Sequence, residues 1–206
     1  EFLEGTWNGL MLDNTLEVAA KCTYELDWSH MYLPKFPLLE PGETSEERFR
    51  KECEEGLARR YGPDWRNVTI AGVNVLERFE LEYDVICTKG FADYFLIVQE
   101  YVRWAKQNGI GVGPGRGSAA GAIVAYAMDI TTFDPLENGL MFERFLSVER
   151  SEMPDIDMDF DDERRLEVVQ HVRELYGSDR VSHVITYSTI KAKQAINDAN
   201  RVLGFP

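Results

Sequence analysis

Residues 154–160 read Pro154-Asp155-Ile156-Asp157-Met158-Asp159-Phe160. Acidic and apolar residues alternate without a break, so an extended backbone sends Ile156, Met158 and Phe160 to one face and the three aspartates to the other. Residues two apart on a strand are separated by about 6.5 to 7 Å, and their side chains can lean toward two divalent ions about 3.5–4 Å apart, the spacing used in two-metal phosphoryl transfer. Asp155 and Asp159 are too far apart for that. Geometry leaves two pairs open, Asp155 with Asp157 and Asp157 with Asp159. Two carboxylates about 4 Å apart repel by roughly 1 kcal/mol in water and about 4 kcal/mol at an effective dielectric of 20, so this face calls for a cation. The plainer reading is an exposed edge strand whose acids discourage aggregation. An EF-hand is excluded, because it needs a glycine at the sixth loop position and a glutamate at the twelfth.

Upstream lies Gly111-Val112-Gly113-Pro114-Gly115-Arg116-Gly117-Ser118, with a glycine at every second position. Such a run permits positive φ angles and lets a ligand approach the backbone closely. A helix opening at Ser118 would supply free amides and the positive end of its dipole, with a charge from Arg116 and a hydroxyl from Ser118, which makes the junction a phosphate site. Gly115-x-Gly117-x-x-Ala120 also fits a loose dinucleotide fingerprint, with Asp134 about 20 residues on where a ribose-binding acid is sought, so an NAD(P)-binding oxidoreductase is the alternative. Pro135 after Asp134, and Arg116 inside the turn, count against it. The Gly-Lys pair of a Walker A loop is missing.

The chain of 206 residues is 44% hydrophobic and 12% aromatic, enough for a sizeable packed core. Its formal charge of −14 opposes simple nucleic-acid binding, which needs a basic surface. The objection weakens once the charge is mapped, because Asp155, Asp157, Asp159, Asp161, Asp162 and Glu163 concentrate the acids where metals would sit. Cys22, Cys53 and Cys87 are widely spaced and form no Cys-x-x-Cys, so they read as buried thiols of a reducing cytosol. No long apolar run or basic leader suggests a membrane or secretory destination.

Periodicity predicts a helix over 14–22 with Asn14 as N-cap, then an irregular stretch through Pro34, Pro37 and Pro41 that marks a boundary. Thr44-Ser45-Glu46-Glu47 has capping-box form, and Phe49, Cys53 and Leu57 follow before Gly62, giving an amphipathic helix. Further helices are expected over 76–86, 92–106, 118–128, 140–146, 164–176 and 189–203, and strands over 110–112, 155–160 and 181–187.

Gly113-Pro-Gly-Arg-Gly-Ser-Ala-Ala-Gly121, Phe142-Glu-Arg-Phe-Leu146 with Glu149-Arg150, and Pro154 to Phe160 together resemble the bacterial DNA polymerase III alpha subunits, the C-family replicative polymerases. The likeness extends through Asp129-Ile-Thr-Thr-Phe-Asp-Pro135 and Ile185 to Lys193 as far as Arg201-Val-Leu-Gly-Phe-Pro206. It implies a mixed α+β fold, with a nucleotidyltransferase palm similar to that of polymerase beta. It makes Asp155 and Asp157 two of three metal-binding catalytic aspartates for two Mg2+ ions and leaves Asp159 a bystander. Gly117 and Ser118, with Arg116, would meet the incoming triphosphate, and Arg144 and Arg150 would clamp it. His171 and His183 match no catalytic role. The resemblance assigns residues 1–24 to the tail of a PHP domain, 25–186 to the first part of the palm and 187–206 to the start of the thumb. It places the third aspartate downstream of residue 206, leaving this piece inactive alone. Implied partners are primer-template DNA, deoxynucleoside triphosphates and, through other regions, replicase subunits such as the sliding clamp, all in the cytoplasm.

Overall fold

The computed structural model describes residues 9–25, 32–147, 153–185 and 187–204. Two compact units emerge, residues 1–34 and residues 35–206. In the first, helix α1 runs Gly9–Lys21. It begins well before Asn14, which therefore lies inside the helix rather than capping it. Cys22 is exposed, not buried.

The second unit is a mixed fold dominated by helices. Helix α2, Ser45–Tyr61, starts where the capping box predicts: the Glu47 amide donates to Thr44 Oγ1 at 3.2 Å and the Thr44 amide to Glu47 Oε2 at 2.9 Å. Gly62 ends it at φ 88°. Strands β1, Thr69–Ile70, and β2, Val73–Asn74, form a hairpin that periodicity had not indicated. Ala71 and Gly72 between them both have positive φ, 49° and 84°, the signs of a type I′ turn. Asn74 then caps helix α3, Val75–Thr88, accepting the Glu77 amide at 3.0 Å. Helix α4 follows as Ala92–Gln107.

The apolar stripes of α2, α3 and α4 meet in one core. Phe49 stacks on Tyr83 at 5.6 Å and tilts against Phe95 at the same distance, while Trp65 lies edge-on to Phe79. Asp93, buried near the start of α4, accepts from the Phe36 amide at 2.8 Å, Ser45 Oγ at 2.7 Å and Lys35 Nζ at 2.9 Å. One carboxylate thus binds the proline-rich segment and the start of α2 to α4. Burial opposes its charge, but these donors hold the Asp93 carboxyl below the ordinary carboxylate range.

The expected long helix over 118–128 is broken. Gly117–Gly121 forms a 3-10 turn and only Ile123–Ala127 is α-helical, here α5. Apart from half-buried Tyr126, α5 is apolar and buried, packed against α2 and α3. Asp129 ends it at φ 58°, accepting Arg59 and Arg60, each at 2.7 Å. The helix expected over 140–146 reduces to a 3-10 turn, Phe142–Arg144. Helix α6, Arg165–Tyr176, ends at Gly177, φ 97°. The strand expected over 181–187 is absent among the described residues. Helix α7, Ala192–Leu203, starts three residues later than expected, ends at left-handed Gly204 and has no buried residue. No helix among the described residues is long and apolar enough to cross a membrane.

Candidate nucleotide and metal site

The two expected strands over 110–112 and 155–160 shrink to one antiparallel bridge, Val112 with Phe160. The Gly113 amide donates to the Asp159 carbonyl at 2.8 Å, and the Asp161 amide to the Gly111 carbonyl at 2.9 Å. These bonds lay the glycine turn directly alongside the acidic segment. The alternation of residues 154–160 is realised: Ile156 is buried and Met158 and Phe160 are half-buried, while Asp155, Asp157 and Asp159 are exposed. Phe160 packs edge-on to Tyr101, and both pack against Ala105, Ile110 and Val168. The Ile156 amide donates to Tyr94 Oη at 3.1 Å. Burial first, and then the Asp155 and Asp157 charges, push the Tyr94 phenol up against the pull of the Ile156 amide.

α6 is fixed behind this segment. His171 stacks in parallel on Trp104 at 4.3 Å, and its Nε2 lies 2.8 Å from Glu100 Oε1. Arg164 donates to the Asn108 carbonyl at 3.1 Å. His171 is thus a packing residue between α4 and α6, while His183 is exposed.

In the glycine turn, only Gly115 at φ 93° and Gly117 at φ 68° take positive angles. A Cβ on Gly115 would come within 2.6 Å of Thr131 Cγ2, so that glycine is needed for packing as well as for its angle. A Cβ on Gly117 would stand 3.8 Å from Asp157 Oδ2. Gly117, Ser118 and Arg144 line one cleft of about 510 Å³ with Gly121, Leu140 and Met141. Arg116 points elsewhere: its Nε lies 3.5 Å from Asp159 Oδ2, an exposed pair of small energetic weight. Arg150 lies outside the described residues.

One expectation is corrected here. The α-helix expected to open at Ser118 opens at Ile123, and Glu82 of α3 takes the amides at that start: Ile123 N lies 3.0 Å from Oε1 and Val124 N 3.1 Å from Oε2. Arg78 Nε reaches Glu82 Oε1 at 2.6 Å, and its Nη2 donates to the Gly121 carbonyl at 2.7 Å and the Leu140 carbonyl at 3.3 Å. Burial pushes the Glu82 carboxyl up to about 7 against the pull of Arg78 and the two amides. The sequence carried a signal for this. Glu82 falls on the same helical stripe as Val75, Phe79 and Ile86, where an acid must have a buried partner.

Asp134 is also corrected. It accepts the Leu136 amide at 2.7 Å and Tyr61 Oη at 2.7 Å, so it shapes its own loop and is buried. A ribose-binding acid must be open to its ligand, and the dinucleotide reading falls with it.

Among the described residues, no three His, Cys, Asp or Glu side chains gather as a metal cage. Asp155 and Asp157 nevertheless suit a hard divalent cation, being exposed oxygen donors in no ion pair among the described residues. A turn of small residues lying beside the outward carboxylates of Asp157 and Asp159 can hold phosphate oxygens and their counter-cation together, as a nucleotide-handling domain must. Residues 47–206 match the family described as the bacterial DNA polymerase III alpha NTPase domain. The chain belongs to that family, the DNA polymerase III alpha subunits. It is 47% identical over 199 residues to DNA polymerase III subunit alpha of Escherichia coli strain K12, covering 95% of this chain and 17% of that protein. It is 46% identical over 203 residues to the Aquifex aeolicus subunit, covering 97% and 17%, and 46% identical over 195 residues to that of Xylella fastidiosa strain Temecula1, covering 95% and 16%. The chain thus spans about a sixth of the length of these relatives.

Proposed function

We propose that this chain is the part of a replicative DNA polymerase that holds the incoming deoxynucleoside triphosphate and two of the three carboxylates for its metals. The observation that carries the reading is the approach of Gly117 to Asp157, which sets the turn and the acid row on one patch of surface. Asp155 and Asp157 would hold two Mg2+ ions, and Asp159, facing Arg116, stays outside the metal set. Bound there, Mg2+ supplies charge neutralisation for the phosphates and a lowered pKa for the attacking hydroxyl. The Gly117 and Ser118 backbone binds phosphate, and Arg144, with Arg150, offsets the charge that develops on it. Residues 25–186 would be the first part of a palm similar to that of polymerase beta, residues 1–24 the tail of a PHP domain and residues 187–206 the start of the thumb. On this reading the third carboxylate comes from another part of the subunit, and the isolated chain would not extend primers. Primer-template DNA, replicase subunits such as the sliding clamp and a cytoplasmic setting belong to the same reading.

The test is primer extension by a full-length alpha subunit carrying this segment. Asp155→Asn and Asp157→Asn should each abolish extension while primer-template binding persists, and Asp159→Asn should remain active. Robust extension by Asp157→Asn, or by the isolated chain, would overturn the reading.

A further inference from the structure

Helix α3 turns Val75, Phe79 and Ile86 into the core, and Glu82 stands on the same stripe with no solvent exposure. A buried carboxylate is costly unless it is paired and fully hydrogen-bonded. This one is met by Arg78 and by the Ile123 and Val124 amides. Arg78 in turn grips the carbonyls of Gly121 and Leu140. Those two residues line the cleft that holds Gly117, Ser118 and Arg144, and they come from its two separate stretches of chain, 117–121 and 139–144.

We propose that Arg78 and Glu82 are positioning residues for the nucleotide cleft, fixing from beneath both stretches of backbone that line it. The inference rests on the reading of that cleft as the nucleotide site. The attraction between the two charges does not by itself require such a pair, since apolar side chains of similar volume often replace a buried ion pair with little loss of stability. Apolar side chains cannot, however, set the register of two amides and two carbonyls at once. α5 is only five residues long and cannot orient its own first turn, so the orientation must come from a neighbour. Burial pushes the Glu82 carboxyl up in spite of its partners, so its desolvation is not fully offset.

The test uses a full-length alpha subunit carrying this segment and compares KM for deoxynucleotide, kcat per titrated active site, primer-template Kd and melting temperature. The double variant Glu82→Leu/Arg78→Met removes both charges and keeps the volume. It should bind primer-template equally well and show a KM raised about tenfold, the loss of one charge-assisted hydrogen bond's worth of placement, and it should melt below the parent because two amides and two carbonyls lose their partners. Arg78→Lys, which keeps a charge for Glu82 without a second arm for the carbonyls, should raise KM in the same direction and serves if the double variant does not fold. Ser118→Ala and Arg144→Ala report on the cleft itself. If these raise KM while the pair variants leave it within about twofold, the pair is structural only and the inference is wrong. If all four leave KM unchanged, the cleft does not hold the nucleotide, and the reading beneath the inference fails first.

Discussion

A Cβ placed on Gly117 would lie 3.8 Å from Asp157 Oδ2, so the glycine turn meets the acidic segment at a defined point. Gly117 has φ 68°, and a larger residue there is strained by about 1–3 kcal/mol whatever the space around it. In a full-length subunit, Gly117→Ala should lower kcat/KM for nucleotide by at least about tenfold with DNA binding retained. Gly72→Ala is the control: it carries comparable strain at φ 84°, in the remote β1–β2 turn with nothing within 4 Å, and should leave the kinetics unchanged. Equal effects of the two would mean that only backbone strain is being measured.

Gly56 lets α2 close on α5, because a Cβ there would fall 1.9 Å from the Ala127 carbonyl oxygen. On an open helix face, glycine to alanine would gain roughly 1 kcal/mol from propensity. At this position the helices must part, and Gly56→Ala should instead destabilise by about 1–3 kcal/mol or more. Thermal unfolding followed by circular dichroism decides the sign.

Asp93 supplies the pH dependence. Its carboxyl is held below its unfolded value, so its contribution is fully present above the ordinary carboxylate pKa of about 3.9 and is lost as pH falls through the lower folded pKa. Urea titrations of this chain between about pH 5 and 2 should show stability falling with pH. Asp93→Asn should be less stable at neutral pH by about 2–4 kcal/mol, with a shallower acid slope. A parallel slope in the variant would remove Asp93 from the account.

The cysteines make a kinetic prediction. Cys22 is exposed, whereas burial raises the Cys53 thiol well above its usual range and Cys87 is half-buried. A thiol reagent at pH 8 should modify Cys22 at once, and Cys53 only at the rate of unfolding. Rapid modification of a Cys22→Ser variant at Cys53 would contradict the packing of α2.

Sequence alone was sufficient for elements whose signals are local. The Thr44–Glu47 box, the apolar stripes of α2 and α4, the glycines that end α2 and α6, and the alternation of residues 154–160 each depend on residues within a turn or two of one another. The family motifs were legible for the same reason, being contiguous runs of residues. The errors fell where a distant partner overrides local preference. Residues 118–128 look like one long apolar helix, yet Arg78 and Glu82 bind the backbone at the break and only α5 remains helical. The acidic strand is paired at one bridge instead of along its length, and Tyr94 and Tyr101 of α4 meet Ile156 and Phe160. Periodicity records which face of a segment is apolar, but not what that face will meet. Whether the glycine turn and the aspartates share a surface was therefore decided by tertiary contacts, since only folding brings groups some forty residues apart within ångströms of each other.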